Sequence, residues 1–199
     1  KKITTYLTLM MVVSAFVLNA QQRYLDEVFT DSEIQVVKNV PYGLNFNPYI
    51  PPAMLDGTQI QPLMLDVYMP DSTVDNEMNR PVVVYLHTGS FLPPSVTGSC
   101  SAIAMCRRFA RHGFVAVSAT YRVGWLANST DLDLRRGTNL LAVYYSIQDA
   151  KTCVRYLNAS KLGLGNPYGI DPSKTILIGQ GSGGYTTFGY ATIDNHSEL

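Results

Sequence analysis

The chain has 199 residues, 46% of them hydrophobic, and its 15 basic and 15 acidic side chains cancel to a net charge of zero. That balance gives no electrostatic case for nucleic acid or an acidic membrane as partner, and the length suits one domain with a sizeable core. Three cysteines with no C-x-x-C, and no His/Cys cluster, leave a metal site without sequence support.

Lys1-Lys2, an apolar run over residues 7–18 and then Asn19-Ala20-Gln21-Gln22 have the three parts of a secretory signal peptide. The run is too short to span a bilayer comfortably, so no stable membrane anchor is expected. No cysteine follows Ala20, which leaves a lipid anchor unsupported. The expectation is an exported protein, periplasmic or extracellular, with residues 1–20 as signal and 21–199 as one domain. The absent initiator Met points to a clipped start. Cys106 and Cys153 fall in predicted helices, where a cysteine serves as a small buried hydrophobe. One disulfide among Cys100, Cys106 and Cys153 stays open, with no pairing chosen. N-x-S/T sequons begin at Asn128, Asn158 and Asn195.

Residues 33–42 alternate apolar and polar as an edge strand does, ending at Pro41. Residues 43–58 are rich in Asn, Pro and Gly and predict a loop. Residues 61–69 alternate again, so the two strands predict an antiparallel pair leading into a larger sheet. Residues 81–87 (PVVVYLH) form a continuous apolar run, the signature of a central strand buried on both faces. A helix is predicted over 101–112 with Gly113 at its C-cap, and a buried strand over 114–119. A polar and aromatic connection follows, then a long helix over 137–157 with an apolar stripe of Val143, Ile147, Ala150, Val154 and Leu157. Residues 174–178 predict a short buried strand before a glycine-rich turn and another helix. Strands alternating with helices imply right-handed crossovers and a doubly wound, mostly parallel α/β sheet. Ligands in such sheets sit at the carboxyl ends of the strands, where His87, Tyr121, Arg122 and Ser182 are all expected.

The stretch Gly179-Gln180-Gly181-Ser182-Gly183 is read as a G-x-S-x-G nucleophile elbow with Ser182 at the turn. Glycines on either side let the serine stand above the sheet between strand and helix. A serine there needs a base to activate it and N–H donors to hold an oxyanion. The backbone N–H groups of Gly183 and of the loop holding Gly89 are the candidate donors.

Val82–Phe91, the Tyr121-Arg122 strand end, Gln148–Leu157, Tyr168–Lys174 and Ile178–Gly184 together resemble the α/β-hydrolase superfamily, most closely its carboxylesterase and lipase-like branch. The resemblance covers about residues 61–195. It implies Ser182 as nucleophile, with Gly89, Ser90 and Gly183 as backbone oxyanion donors. His87, Gly181, Tyr121 and Arg122 would shape the site, and no cofactor is implied. The family's usual H-G-G-G is His87-Thr88-Gly89-Ser90 here, departing at Thr88 and Ser90, which keep their N–H groups. The family's triad acid and histidine follow the serine, but Leu199 lies only seventeen residues beyond Ser182. Asp194, His196 and His112 are expected in surface or helix-end roles. The acid, the histidine and the later strands are therefore expected beyond residue 199, and the piece in hand is expected to be inactive alone.

The leading expectation is an exported serine ester hydrolase working through an acyl-enzyme on a small-molecule or polysaccharide-linked ester. A non-catalytic binding protein of the same fold and a peptidase of the same fold remain alternatives. Trp125 is expected beside the site, lining a pocket or plugging the loop. Arg122 is expected to salt-bridge the strand end to a neighbouring loop, and Asp149 to orient its helix.

Overall fold

A computed structural model describes residues 22–50, 55 and 59–193. The expected signal peptide, and Asp194 and His196 near the C-terminus, lie outside the described residues. Five strands form one sheet: β1 (Ile34–Phe46), β2 (Ile60–Pro70), β3 (Arg80–Leu86), β4 (Val115–Ala119) and β5 (Ile170–Gly179). Their order is β1-β2-β4-β3-β5. The first two pair antiparallel with each other, and β2 pairs antiparallel with β4. Both β4 and β5 run parallel to β3. This is the expected doubly wound, mostly parallel α/β sheet.

Three helices connect or follow the parallel strands: α1 (Cys100–Arg111), α2 (Leu132–Gly163) and α3 (Ser182–Thr192). The step from β3 to β4 and the step from β4 past β3 to β5 run in opposite directions. Right-handed crossovers therefore place α1 on one face and α2 on the other. Period-two alternation shares the strands between the two layers. Val82, Val84, Leu86, Val115, Val117 and Ala119 pack with Ala142, Ala150, Cys153 and Leu157 of α2. Tyr68, Tyr85 and Ala116 face Ala102, Cys106 and Ala110 of α1. The run at 82–86 is apolar throughout because both layers bury it. Cys106 and Cys153 thus lie on opposite faces of the sheet, which bars a bridge between them, and all three cysteines are free. Burial pushes both buried thiols up to about 12.

Local chemistry sets the element ends. Ser99 caps α1 by accepting from the Ala102 N–H at 3.2 Å. Gly113, just past its end, takes φ +93°, as the C-cap expectation required. Asp131 caps α2 by accepting from the N–H groups of Asp133 and Leu134.

Three boundaries differ from expectation. β1 continues past Pro41 to Phe46, because register shifts around Val40 and Gly43 let the strand absorb the proline and pair on. Asn39, at φ +55°, turns the strand there, with its N–H on Asp66 Oδ1 at 2.8 Å. The second helix starts before Gly137 and ends after Leu157. Its first turns carry exposed leucines, Leu132, Leu134, Leu140 and Leu141, so no apolar stripe marks them. The strand before the elbow begins at Ile170 and is not fully buried: among the described residues only β3 pairs with it, and Ile176 is exposed.

Candidate active site

The carboxyl ends of β3, β4 and β5 converge on one cleft of about 410 Å³, lined among others by Thr88, Ser90, Phe91, Trp125, Gly181 and Ser182. A larger hollow of about 600 Å³ lies at the opposite, amino ends, around Asp75 and Arg80. Those two charges are spent on each other at 2.8 Å. The first cleft is therefore where chemistry is to be sought.

The elbow lies one residue earlier than the sequence reading placed it. Gly181 takes φ +55° and ψ −120°, the strained conformation of a strand-to-helix apex, whereas Ser182 is the first residue of α3. The flanking glycines agree. A Cβ on Gly179 would meet the Gly183 carbonyl oxygen at 2.1 Å, and one on Gly183 would meet the Leu86 carbonyl oxygen at 2.1 Å. A Cβ on Gly184 would find its nearest neighbour at 3.5 Å, an ordinary contact. The two glycines that cannot carry a side chain stand two before and two after Gly181, so the pentapeptide's central place is held by glycine. The signal was in the sequence: Gly179 and Gly183 are centred on 181.

Ser182 is buried, and its Oγ lies 3.0 Å from the Tyr121 hydroxyl. That phenol donates its single proton to the His87 carbonyl at 2.6 Å, so Ser182 supplies the hydrogen of the serine–tyrosine contact. Burial raises the Tyr121 pKa to about 12, with the Ser182 hydrogen bond opposing, so the phenol stays protonated and is no base at neutral pH. The expected role of Tyr121 in shaping the site has a geometric counterpart: it ties the β4 end to the β3 loop and to the elbow helix.

His87 is where a loop-shaping residue would be, not a proton carrier. Its ring stacks on Tyr121 with centroids 4.4 Å apart. Nδ1 faces the Thr88 carbonyl at 2.7 Å and must carry a proton, while Nε2 meets Ser95 Oγ at 2.9 Å. Burial lowers its pKa, opposed by the Thr88 carbonyl, and keeps the ring neutral.

The oxyanion donors also shift. The Gly183 N–H donates to the Gln180 carbonyl at 3.0 Å, so the sequence-expected donor is already used in closing the turn. Among the described residues, the N–H groups of Gly89, Ser90 and Ser182 meet no acceptor. Gly89 and Ser90 both have positive φ, and Trp125 Nε1 holds the loop by donating to the Ser90 carbonyl at 2.9 Å. Ser182 thus offers its backbone, as the residue after the apex does in an oxyanion hole. Trp125 both lines the cleft and braces the loop.

Arg122 is not brought to the cleft. Its Nε and Nη2 reach the two carboxylate oxygens of Asp149, each at 2.9 Å, and its guanidinium lies 4.4 Å from the Tyr145 ring centroid. The expected salt bridge exists, but its partner is on α2 rather than on a loop. Asp149 also accepts from Asn45 and from the Arg122 N–H, locking strand end to helix. Asn139 and Tyr185 line the cleft without any sequence signal having marked them, and Thr88, marked as a departure from H-G-G-G, lines it with them.

The BD-FAE family model matches residues 65–199. The chain belongs to the BD-FAE family. Across its whole length the BD-FAE chain superposes, at TM-score 0.52 and 20% identity, on 52% of esterase B from Lactobacillus rhamnosis in a crystal structure with a C4-C4 SN3 tributyrin phosphonate. The likeness shows the fold, and together with the family match it is in keeping with the α/β-hydrolase resemblance. Neuroligin-like protein glit-1 of Caenorhabditis elegans is 26% identical over 167 residues, 84% of this chain and 20% of the relative. The BD-FAE chain spans about half the length of esterase B and a fifth of the neuroligin-like protein.

Proposed function

We propose that this BD-FAE domain holds an ester or related carbonyl compound in the cleft over the elbow without forming a covalent bond to it. The observation that carries the reading is Gly181 at the apex: the place from which a nucleophile attacks has no side chain. The N–H groups of Gly89, Ser90 and Ser182 remain available to a ligand oxygen. The domain boundary at residue 21, with export directed by residues 1–20, belongs to the same proposal. So does a small-molecule or polysaccharide-linked ester as the ligand.

A second reading is the serine ester hydrolase in which Ser182 forms an acyl-enzyme and the triad acid and histidine come from chain beyond Leu199. The ester-hydrolase scaffold and the presence of Ser182 in the cleft wall favour it. Against it stands a hydroxyl turned to a phenol rather than to a base.

Full-length protein treated with a fluorophosphonate and assayed on p-nitrophenyl butyrate separates the two. No adduct, and turnover indistinguishable from buffer, is the expected result. An adduct on Ser182 together with turnover lost in Ser182→Ala, on the order of 10⁴-fold, establishes the hydrolase instead.

A further inference from the structure

Two departures from the family pattern meet in space. Thr88 stands in the loop where the second residue of H-G-G-G is usually glycine, and Gly181 stands at the apex of the elbow. A Cβ built on Gly181 would lie 2.2 Å from Thr88 Oγ1 and 3.1 Å from Thr88 Cβ. Both distances are inside the optimal separation of non-bonded heavy atoms, the first by well over an ångström. The space that an apex side chain would enter is already taken, and a rotation of Thr88 that removes the hydroxyl leaves its Cβ in place. The threonine cannot simply withdraw, because its carbonyl is tied to His87 Nδ1 at 2.7 Å and the His87 ring is stacked on Tyr121.

We infer that Thr88 has taken the place of the nucleophile: its side chain fills the volume above the elbow, shuts the cleft to covalent attack and holds residue 181 to glycine. Gain of a side chain in the loop and loss of one at the apex are then a single matched change. Thr88 thereby sets what the cleft accepts, since a ligand carbonyl meets a threonine where an esterase would present its attacking oxygen. The inference rests on the non-covalent reading above.

The test is a double-mutant cycle in the full-length protein with Gly181→Ser, Thr88→Gly and both together. The strain of a side chain at positive φ is common to both backgrounds and cancels. With Thr88 present, Gly181→Ser lowers Tm by about 5 °C or more. In the Thr88→Gly background it lowers Tm by less than half as much. Equal losses in the two backgrounds overturn the pairing, as does failure to fold in both. Failure to fold only while Thr88 is present supports it. Fluorophosphonate labelling reads the blockade itself: the doubly substituted protein should label at least about ten-fold more than Gly181→Ser alone. Equal labelling of the two refutes the blockade, and if neither labels, the melting cycle decides. An adduct on Ser182 in the unsubstituted protein counts against the non-covalent reading, whereas additive melting shifts count against the role of Thr88.

Discussion

The segments that leave β3 and β4 at the same end of the sheet are held in opposite ways. After β4, Thr120–Val123 is buried and its charged side chain is tied down: Arg122 and Asp149 share two side-chain hydrogen bonds, and the Arg122 N–H adds a third. After β3, Thr88–Ser90 is exposed, Gly89, Ser90 and Phe91 all have positive φ, and the N–H groups of Gly89 and Ser90 are left without a partner among the described residues. The first is a clamp between strand and helix. The second stores strain and unmet donors where a ligand can meet them. The contrast shows how one sheet can hold a binding edge in shape: its neighbour supplies the rigidity, and Tyr121, hydrogen-bonded to the His87 carbonyl and to Ser182, joins the two.

Breaking the clamp should have the largest effect. Arg122→Ala leaves the Asp149 carboxylate buried and is expected to cost about 3–5 kcal/mol, measured by urea unfolding. Replacing both members with apolar residues of similar volume should recover most of that loss, because the penalty comes from an unpaired charge. Next come the glycines of the elbow. Gly179→Ala and Gly183→Ala each drive a methyl group into backbone and are expected to cost about 3 kcal/mol. Gly184→Ala should cost nothing and gain up to about 1 kcal/mol from helix propensity. If Gly184 proved intolerant and Gly179 tolerant in melting experiments, the apex would be Ser182 after all.

Removing the join is smaller. Tyr121→Phe deletes the hydroxyl shared by the His87 carbonyl and Ser182 and should cost about 1–2 kcal/mol, read from the urea midpoint. The smallest effect lies at the far end of the sheet. Burial raises the Asp75 pKa, but hydrogen bonds from Arg23 and Arg80 outweigh it and the net shift is downward. A depressed folded pKa means that its contribution is full above the unfolded value, about 3.9, and is lost as pH falls through the folded one. Below about pH 4, Tm should therefore fall more steeply in the natural protein than in Asp75→Asn. Identical acid limbs would show that the pair contributes nothing there.

The α/β class was legible in the sequence, because a continuous apolar run such as Val82–Leu86 and the helical stripe that includes Ile147, Ala150 and Leu157 are local patterns that need no knowledge of neighbours. The place of the cleft was legible for the same reason, since strand ends follow from strands. The long α2 boundaries were hidden because its exposed leucines break the amphipathic pattern. The apex was legible too, since Gly179 and Gly183 are centred on Gly181, but the reason those two must be glycine came only from the folded chain. Whether a glycine is obligatory depends on what stands opposite its missing Cβ, and at Gly183 that is the carbonyl of Leu86 from another strand. The partners of Arg122 and the meeting of Thr88 with Gly181 were decided there too, because both join residues far apart in the chain whose approach is set by packing rather than by any local pattern.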